Sequence, residues 1–146
     1  MRSFFDINVL IALLDPDHSH HQPAQDWWLK NREGGWASCP ITENGFVRVL
    51  SNVRYPNDVR FSPSRLIQDL KDFILVSDHE FWEDNISLTD DRLFSRHAII
   101  SPSWLTDIYL LALAIKNRGR LVTFDRRIRP ETVIGASENN LCIIEF

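Results

Sequence analysis

The chain contains few cysteines and no long uninterrupted apolar segment. Cys39 and Cys142 are the only cysteines among 146 residues, and each lies in strand-like sequence. This number and separation exclude a disulfide scaffold and a cysteine-based zinc site, so we expect both residues to be reduced and packed in the core. No apolar run reaches the length that a membrane-spanning helix needs, so we expect no contact with a membrane.

The chain also lacks an excess of basic residues. It has 16 Lys and Arg against 20 Asp and Glu, which gives a net charge of -4. A nucleic acid would therefore be held by local phosphate contacts and not by the overall field. Asp6 and Asn8 interrupt the apolar N-terminal run and no small-residue cleavage site follows, which argues against a signal peptide. We expect a mature cytoplasmic protein in which residues 1–146 form one domain.

The most apolar stretch is residues 3–14. It predicts a strand at residues 2–5, buried on both faces, and a helix that begins near Asn8. Asp6 lies at the junction, where its carboxylate loses hydration unless a cation, hydrogen-bond donors or water compensate it. Ligands of open α/β sheets bind beyond the carboxyl ends of the strands, which favours a functional site at Asp6. The alternative is that Asp6 only caps the helix.

Helical and strand patterns alternate along the rest of the chain. The predicted helices are 23–32, 40–50, 62–73 and 104–117, with Thr42, Ser62 and Ser103 as their capping candidates. The predicted strands are 36–39, 81–82, 121–124 and 141–144. Residues 74–94 are the least legible region, and we assign its acids Asp84, Asp90 and Asp91 to solvent. We assign His18, His20 and His21 to a loop or helix start, because their loose spacing in a proline-flanked segment does not favour a metal site.

Three further acids share the setting of Asp6. Glu43 begins a helix whose apolar face contains Phe46 and Leu50, so its side chain is predicted to point toward the core. Asp107 repeats this arrangement near the start of the helix at 104–117. Asp125 follows the strand at 121–124, as Asp6 follows the first strand. These four acids can therefore meet at one edge of a parallel sheet.

Four carboxylates in one place would repel each other and raise their own pKa values unless a cation joined them. Oxygen ligands without cysteine or a histidine cluster suit Mg²⁺ or Mn²⁺. Such an ion activates water and stabilises a leaving oxygen, which predicts hydrolysis of a phosphodiester. Arg48, Arg54 and Arg60 flank the loop after the Glu43 helix and are our candidates for binding substrate phosphates.

With these motifs the chain resembles the PIN-domain ribonucleases, of the VapC toxin type found in bacterial toxin-antitoxin pairs. The matching segments are residues 6–8 (DIN), 42–43 (TE), 48–50 (RVL), 105–114 (LTDIYLLALA) and 123–126 (TFDR). The resemblance implies an α/β fold with three layers, α/β/α, and a central parallel sheet. It also implies cleavage of RNA that depends on magnesium or manganese.

The resemblance further implies roles for individual residues. Asp6 and Asp107 would be the principal metal ligands, while Glu43 and Asp125 would hold metal-bound waters or a second ion. Asn8, which follows the first strand, and Thr123, which precedes Asp125, would support the carboxylates. Members of this kind form homodimers, are silenced by a cognate antitoxin protein, and act on transfer or ribosomal RNA.

Three other functions compete with this interpretation. A phosphatase of the haloacid dehalogenase type would need a second aspartate where the chain has Asn8. A receiver domain would distribute its acids differently, with an acidic pair early in the chain. A catalytically inactive PIN scaffold that binds RNA or protein is the third alternative, and the presence of all four acids argues against it.

Overall fold

The computed structural model describes residues 1–56 and 61–146. Within these ranges the chain forms five strands and five α-helices, with short 3-10 turns between them. The strands are β1 (Ser3–Phe5), β2 (Trp36–Ser38), β3 (His79–Phe81), β4 (Arg120–Thr123) and β5 (Leu141–Ile143). The helices are α1 (Ile7–Leu14), α2 (His21–Asn31), α3 (Pro40–Leu50), α4 (Pro63–Val76) and α5 (Leu105–Lys116).

The five strands form one parallel sheet in the order β3-β2-β1-β4-β5. Strand β1 is central, and its Phe4 is paired with Ala37 of β2 and Leu121 of β4. The chain moves outward from β1 to β3 and then returns to the other side of β1 for β4. Such a change of direction leaves a crevice at the carboxyl ends of the two strands, here β1 and β4, where ligands of α/β proteins bind.

Side chains on the two faces of the sheet pack against different helices. Phe5 and Val122 lie on one face, in a core cluster with α1, α2, α3 and α4. Phe4 and Leu121 lie on the other face, in a cluster with α5. The alternation of neighbouring residues between faces is the normal geometry of a strand. The predicted three-layer α/β/α architecture with a central parallel sheet is therefore confirmed.

Two predicted helix caps are wrong. Ser103 lies in a 3-10 turn and its hydroxyl is 2.8 Å from that of Ser101, so α5 begins later, at Leu105. The N-cap of α3 is Cys39, and Thr42 is the third residue of the helix. Thr42 Oγ1 accepts a hydrogen bond from the backbone N–H of Cys39 at 3.0 Å, so it stabilises the helix start from inside. A proline follows the cap in α3, where Pro40 comes directly after Cys39, whereas the N-cap of α5 is Trp104.

The strand predicted at residues 81–82 is misplaced, because β3 is His79–Phe81, and the helix predicted at 23–32 begins two residues earlier, at His21. Both predicted cysteine states are as expected. Cys39 is buried and free, and Cys142 is half-buried and free. His21 begins α2, and its Nδ1 lies 2.8 Å from the carbonyl oxygen of Ala12, which fixes α2 against α1. Helix α4 ends three residues later than predicted, at Val76, and the apolar side chains of Leu75 and Val76 in this last turn are exposed. In residues 1–56 and 61–146, no helix combines the length and hydropathy needed to cross a membrane.

Candidate active site at the carboxyl edge of the sheet

Asp6 is held by hydrogen bonds at the carboxyl end of the central strand. Its Oδ1 accepts from the backbone N–H of Val9 at 2.7 Å, and its Oδ2 accepts from the hydroxyl of Thr123. The first bond makes Asp6 the N-cap of α1. The side chain is nevertheless only 3% exposed, far more buried than a cap requires. Asp6 therefore both caps α1 and is buried in the candidate site.

The environment of Asp6 does not favour its charged form. Burial raises the pKa of Asp6, the hydrogen bonds from Thr123 and Val9 lower it, and the charges of Asp107 and Asp125 raise it again. The result is a pKa of about 7, against 3.8 for an ordinary aspartate. Because neither donor is a cation, the two hydrogen bonds do not offset burial and repulsion. We call Asp6, Asp107 and Asp125 the aspartate cluster.

Asp107 enters the aspartate cluster from the first turn of α5. The side chain is half-buried, and burial together with the charge of Asp125 raises its pKa. The positive charge of Arg127 acts in the opposite direction. Because α5 covers the face of the sheet opposite to α1, the carboxylates of Asp6 and Asp107 reach the same edge from two different layers.

Asp125 follows β4 and is the acid of the cluster that has a cationic partner. Its backbone N–H donates to Thr123 Oγ1 at 3.0 Å, so one threonine joins Asp125 and Asp6. The guanidinium of Arg127 donates through Nε to Oδ1 at 3.0 Å and through Nη2 to Oδ2 at 2.8 Å. These bonds to Arg127 lower the pKa of Asp125. The three carboxylates of the cluster therefore have one positive charge beside them, that of Arg127.

Glu43 belongs to a separate hydrogen-bond network on β2 and β3. Its Oε2 accepts from the hydroxyl of Ser38 at 2.6 Å, and the same hydroxyl oxygen lies 2.8 Å from Nε2 of His79. Since the single hydroxyl hydrogen is used toward Glu43, the ring of His79 is the donor to Ser38. The charges that raise the pKa of Asp6 are those of Asp107 and Asp125, and Glu43 is not among them.

The charges of three of the four predicted acids, Asp6, Asp107 and Asp125, thus act on one another, whereas Glu43 bonds to Ser38. In the ranges it describes, no three His, Cys, Asp or Glu side chains converge closely enough to form a complete metal site. The carboxylates of Asp6 and Asp107 nevertheless fit a hard divalent cation, because both have raised pKa values and provide oxygen ligands. Magnesium retains several waters and needs only one or two protein carboxylates.

The other predicted site residues lie in varied positions. Thr123 contacts Asp6 directly, whereas Asn8 is exposed in the first turn of α1. Arg48 is exposed in the last turn of α3, and Arg54 is exposed beyond that helix. Arg60 lies outside the described residues. The assignment of these three arginines to substrate phosphates stays a prediction.

Sequence reasoning missed three side chains, two that contact the predicted acids and a third that contacts one of those two. These are Ser38, His79 and Arg127. Ser38 and His79 come from adjacent strands, and nothing in the sequence shows that β2 and β3 pair. Arg127 had a local signal, because an aspartate often accepts from the backbone N–H two residues later, which brings that side chain close.

Comparison with known proteins shows the family of the chain. The PIN domain family matches residues 3–130 of the chain. The chain is 44% identical over 144 residues to Ribonuclease VapC44 of Mycobacterium tuberculosis (strain CDC 1551 / Oshkosh), covering 99% of the chain and 100% of that protein. It is 39% identical over 138 residues to Ribonuclease VapC39 of the same strain, covering 94% and 99% respectively. Ribonuclease VapC38 of strain ATCC 25618 / H37Rv is 36% identical over 139 residues, covering 90% and 95%.

Proposed function

This chain belongs to the PIN domain family of VapC-type ribonucleases, and on that premise we propose that its aspartate cluster is the centre of RNA cleavage. The chain is the endoribonuclease toxin of a toxin-antitoxin pair. The observation that supports the proposed site is the burial of Asp6 beside two further acids. Burial, with a smaller contribution from the charges of these acids, raises the pKa of Asp6 to about 7, and a bound cation would lower it.

We propose Mg²⁺ or Mn²⁺ as the cofactor. Asp6 and Asp107 would hold the ion, and Glu43 and Asp125 would hold its bound waters or a second ion. When bound, the ion lowers the pKa of a water and neutralises charge on the leaving oxygen of the phosphodiester. The separation of Glu43 from the aspartate cluster is consistent with a role through water rather than direct ligation.

The residues around the acids fix their orientation. Thr123 bonds to Asp6 and to the backbone of Asp125, so the ends of β1 and β4 are held at one spacing. Val9 binds the other oxygen of Asp6 through the rigid first turn of α1. Burial excludes water from Asp6, so its charge acts strongly on neighbouring groups. Asn8 is proposed to support the carboxylates from the same turn.

Partners follow from family membership. We propose an RNA substrate of the transfer or ribosomal class, a cognate antitoxin protein, assembly as a homodimer, and action in the cytoplasm. The relatives' shared name, Ribonuclease VapC, supports the RNA substrate and the antitoxin. The same name favours an active enzyme over the inactive scaffold that binds RNA or protein.

Aspartate-to-asparagine variants test the proposed site. We expect Asp6→Asn and Asp107→Asn each to reduce cleavage of RNA at least about 100-fold, because the loss of a metal ligand removes several kcal/mol of transition-state stabilisation. Both variants should also lose the rise in unfolding temperature that Mn²⁺ produces in the parent by mass action. Asp90→Asn is the control, since Asp90 pairs with Arg92 in another loop. Cleavage at the parental rate by Asp6→Asn or Asp107→Asn would contradict the assignment.

A further inference from the structure

Three arginines stand in the loop that directly follows Asp125. Arg126, Arg127 and Arg129 are exposed, whereas Ile128 between them is 5% exposed and packed in the core cluster under α5. We call residues 126–129 the arginine loop. Ile128 anchors the loop in the core directly after Asp125, and Arg127 lies against the aspartate cluster.

Two contacts join the arginine loop to neighbouring residues. Arg127 makes the bidentate pair with Asp125, at 2.8 Å and 3.0 Å, and its charge also acts on Asp107. The guanidinium carbon of Arg129 lies 5.9 Å from the ring centroid of Trp104, the residue that immediately precedes α5. The loop therefore borders the acids on the β4 side and on the α5 side. It places positive charge locally on a chain whose net charge is -4.

Two of the arginines suggested by the sequence, Arg48 and Arg54, lie in other parts of the described structure. Helix α3 begins just after the carboxyl end of β2, and Arg48 comes eight residues after its first residue, about 12 Å along the helix axis. Arg54 is next to Tyr55, whose hydroxyl donates to Asp15. Asp15 is at the end of α1 opposite to Asp6. The arginine loop is thus the better placed group of cations for a phosphate at the aspartate cluster.

We propose that the arginine loop binds RNA phosphates beside the aspartate cluster, and that Arg127 exchanges Asp125 for a phosphate when a divalent cation binds there. This inference rests on the proposed function. A guanidinium fork matches a carboxylate and a phosphate equally well in geometry, so the exchange needs no new donor. A divalent cation competes with Arg127 for Asp125 and repels its charge. Arg127 therefore weakens metal binding and strengthens RNA binding.

The chain contains a matched control for this pair. Arg92 donates to Asp90 through Nε at 3.0 Å and through Nη2 at 2.9 Å, and its backbone N–H also bonds to Asp90. Arg127 and Asp125 have the same spacing and the same three bonds. The charge of Arg92 acts on Asp90 alone, whereas that of Arg127 reaches Asp107 as well. Arg92→Gln thus removes the same local contacts away from the aspartate cluster.

The first measurement is metal binding without RNA. The unfolding temperature is followed during titration with Mn²⁺ for the parent, Arg127→Gln and Arg92→Gln. In Arg127→Gln, the Mn²⁺ concentration that gives half of the maximal rise in unfolding temperature should fall roughly three- to tenfold, because one positive charge beside the ion is removed. Arg92→Gln should match the parent. Equal half-maximal Mn²⁺ concentrations in all three proteins would overturn this inference but not the proposed metal site. No rise in unfolding temperature in any of the three would overturn both.

The second measurement is substrate binding during cleavage of unfractionated tRNA at saturating Mn²⁺. Arg127→Gln should raise KM several-fold and reduce the slope of log(kcat/KM) against log[salt] by about 0.7 to 0.9, the loss of one phosphate contact. Arg92→Gln should change neither quantity. A role of Arg127 in stability alone would leave the salt slope unchanged, and that result would overturn the inference.

Discussion

Asp6 stabilises the fold by capping α1 and destabilises it by its own charge. Its two hydrogen bonds come from a backbone N–H and a threonine hydroxyl, which are neutral donors. Neutral donors compensate a buried carboxylate less than a cation does. A protein without function at this position would gain stability by neutralising the side chain while keeping an oxygen for the cap. That the chain has an aspartate here is therefore informative about function.

The pH dependence of stability tests this description of Asp6. Its folded-state pKa of about 7 is above the ordinary value of 3.8, so the folded protein binds the proton more tightly than the unfolded chain does. The free energy of unfolding in EDTA should therefore fall as pH rises from about 4 to about 7, by up to about 4 kcal/mol. Asp6→Asn should lack this fall and be more stable than the parent at neutral pH. Urea denaturation between pH 4 and pH 8 measures both, and parallel curves for the two proteins would contradict the description.

Thr123 provides a second prediction at the scale of one residue. Its hydroxyl donates to Asp6 and accepts from the backbone N–H of Asp125. Thr123→Val keeps the shape and removes both bonds, so it should destabilise the protein by roughly 1–3 kcal/mol and reduce RNA cleavage. Thr123→Ser keeps the hydroxyl and should retain most of the activity. If valine and serine gave equal activity, the threonine hydroxyl would have no part in positioning the acids.

At the scale of elements, the packing of α3 against α1 sets the distance between their first turns. Gly45 lies in α3, and a Cβ there would be 2.3 Å from Cδ1 and 2.7 Å from Cγ1 of Ile7. Ile7 is the first residue of α1, directly after Asp6, and Glu43 lies two residues before Gly45. The close approach of the two helices therefore also sets the position of Glu43 relative to Asp6.

A double-mutant cycle tests this contact. Gly45→Ala should destabilise the parent by about 1 kcal/mol, because overpacking against Ile7 outweighs the gain in helix propensity. In an Ile7→Ala background the clash is absent, and Gly45→Ala should become stabilising by up to about 1 kcal/mol. Unfolding free energies of the four proteins give the coupling. Additive effects would show that the helices do not meet through these two residues.

Element boundaries show what local sequence can and cannot predict. The strand ending before Asp6 and the apolar face after Glu43 were predicted, because hydrophobic patterns record burial directly. The start of α5 was misplaced, because Ser103 has the right chemistry for a cap but lies in a 3-10 turn after Pro102. A cap depends on backbone dihedral angles that the residue type alone does not determine.

At the scale of the whole molecule, the parallel sheet explains why acids distant in sequence meet. Asp6 and Asp125 follow neighbouring strands β1 and β4, and Asp107 starts the helix that precedes β4. This convergence was predicted from the positions of acids at strand ends and helix starts. The bonds from Arg127 to Asp125 and from Ser38 to Glu43 were not, because they depend on side-chain rotamers and on the pairing of β2 with β3.

Proton release on metal binding tests the central claim most directly, namely that the aspartate cluster is a site for a divalent cation. Mn²⁺ is titrated calorimetrically in two buffers of different ionisation enthalpy, at pH 6 and at pH 8, with the parent and Asp6→Asn. Because the pKa of Asp6 is about 7, binding to the parent should release about one proton per ion at pH 6 and almost none at pH 8. Asp6→Asn should lack this release. Absence of binding by the parent, or an equal number of protons released at both pH values, would contradict the account.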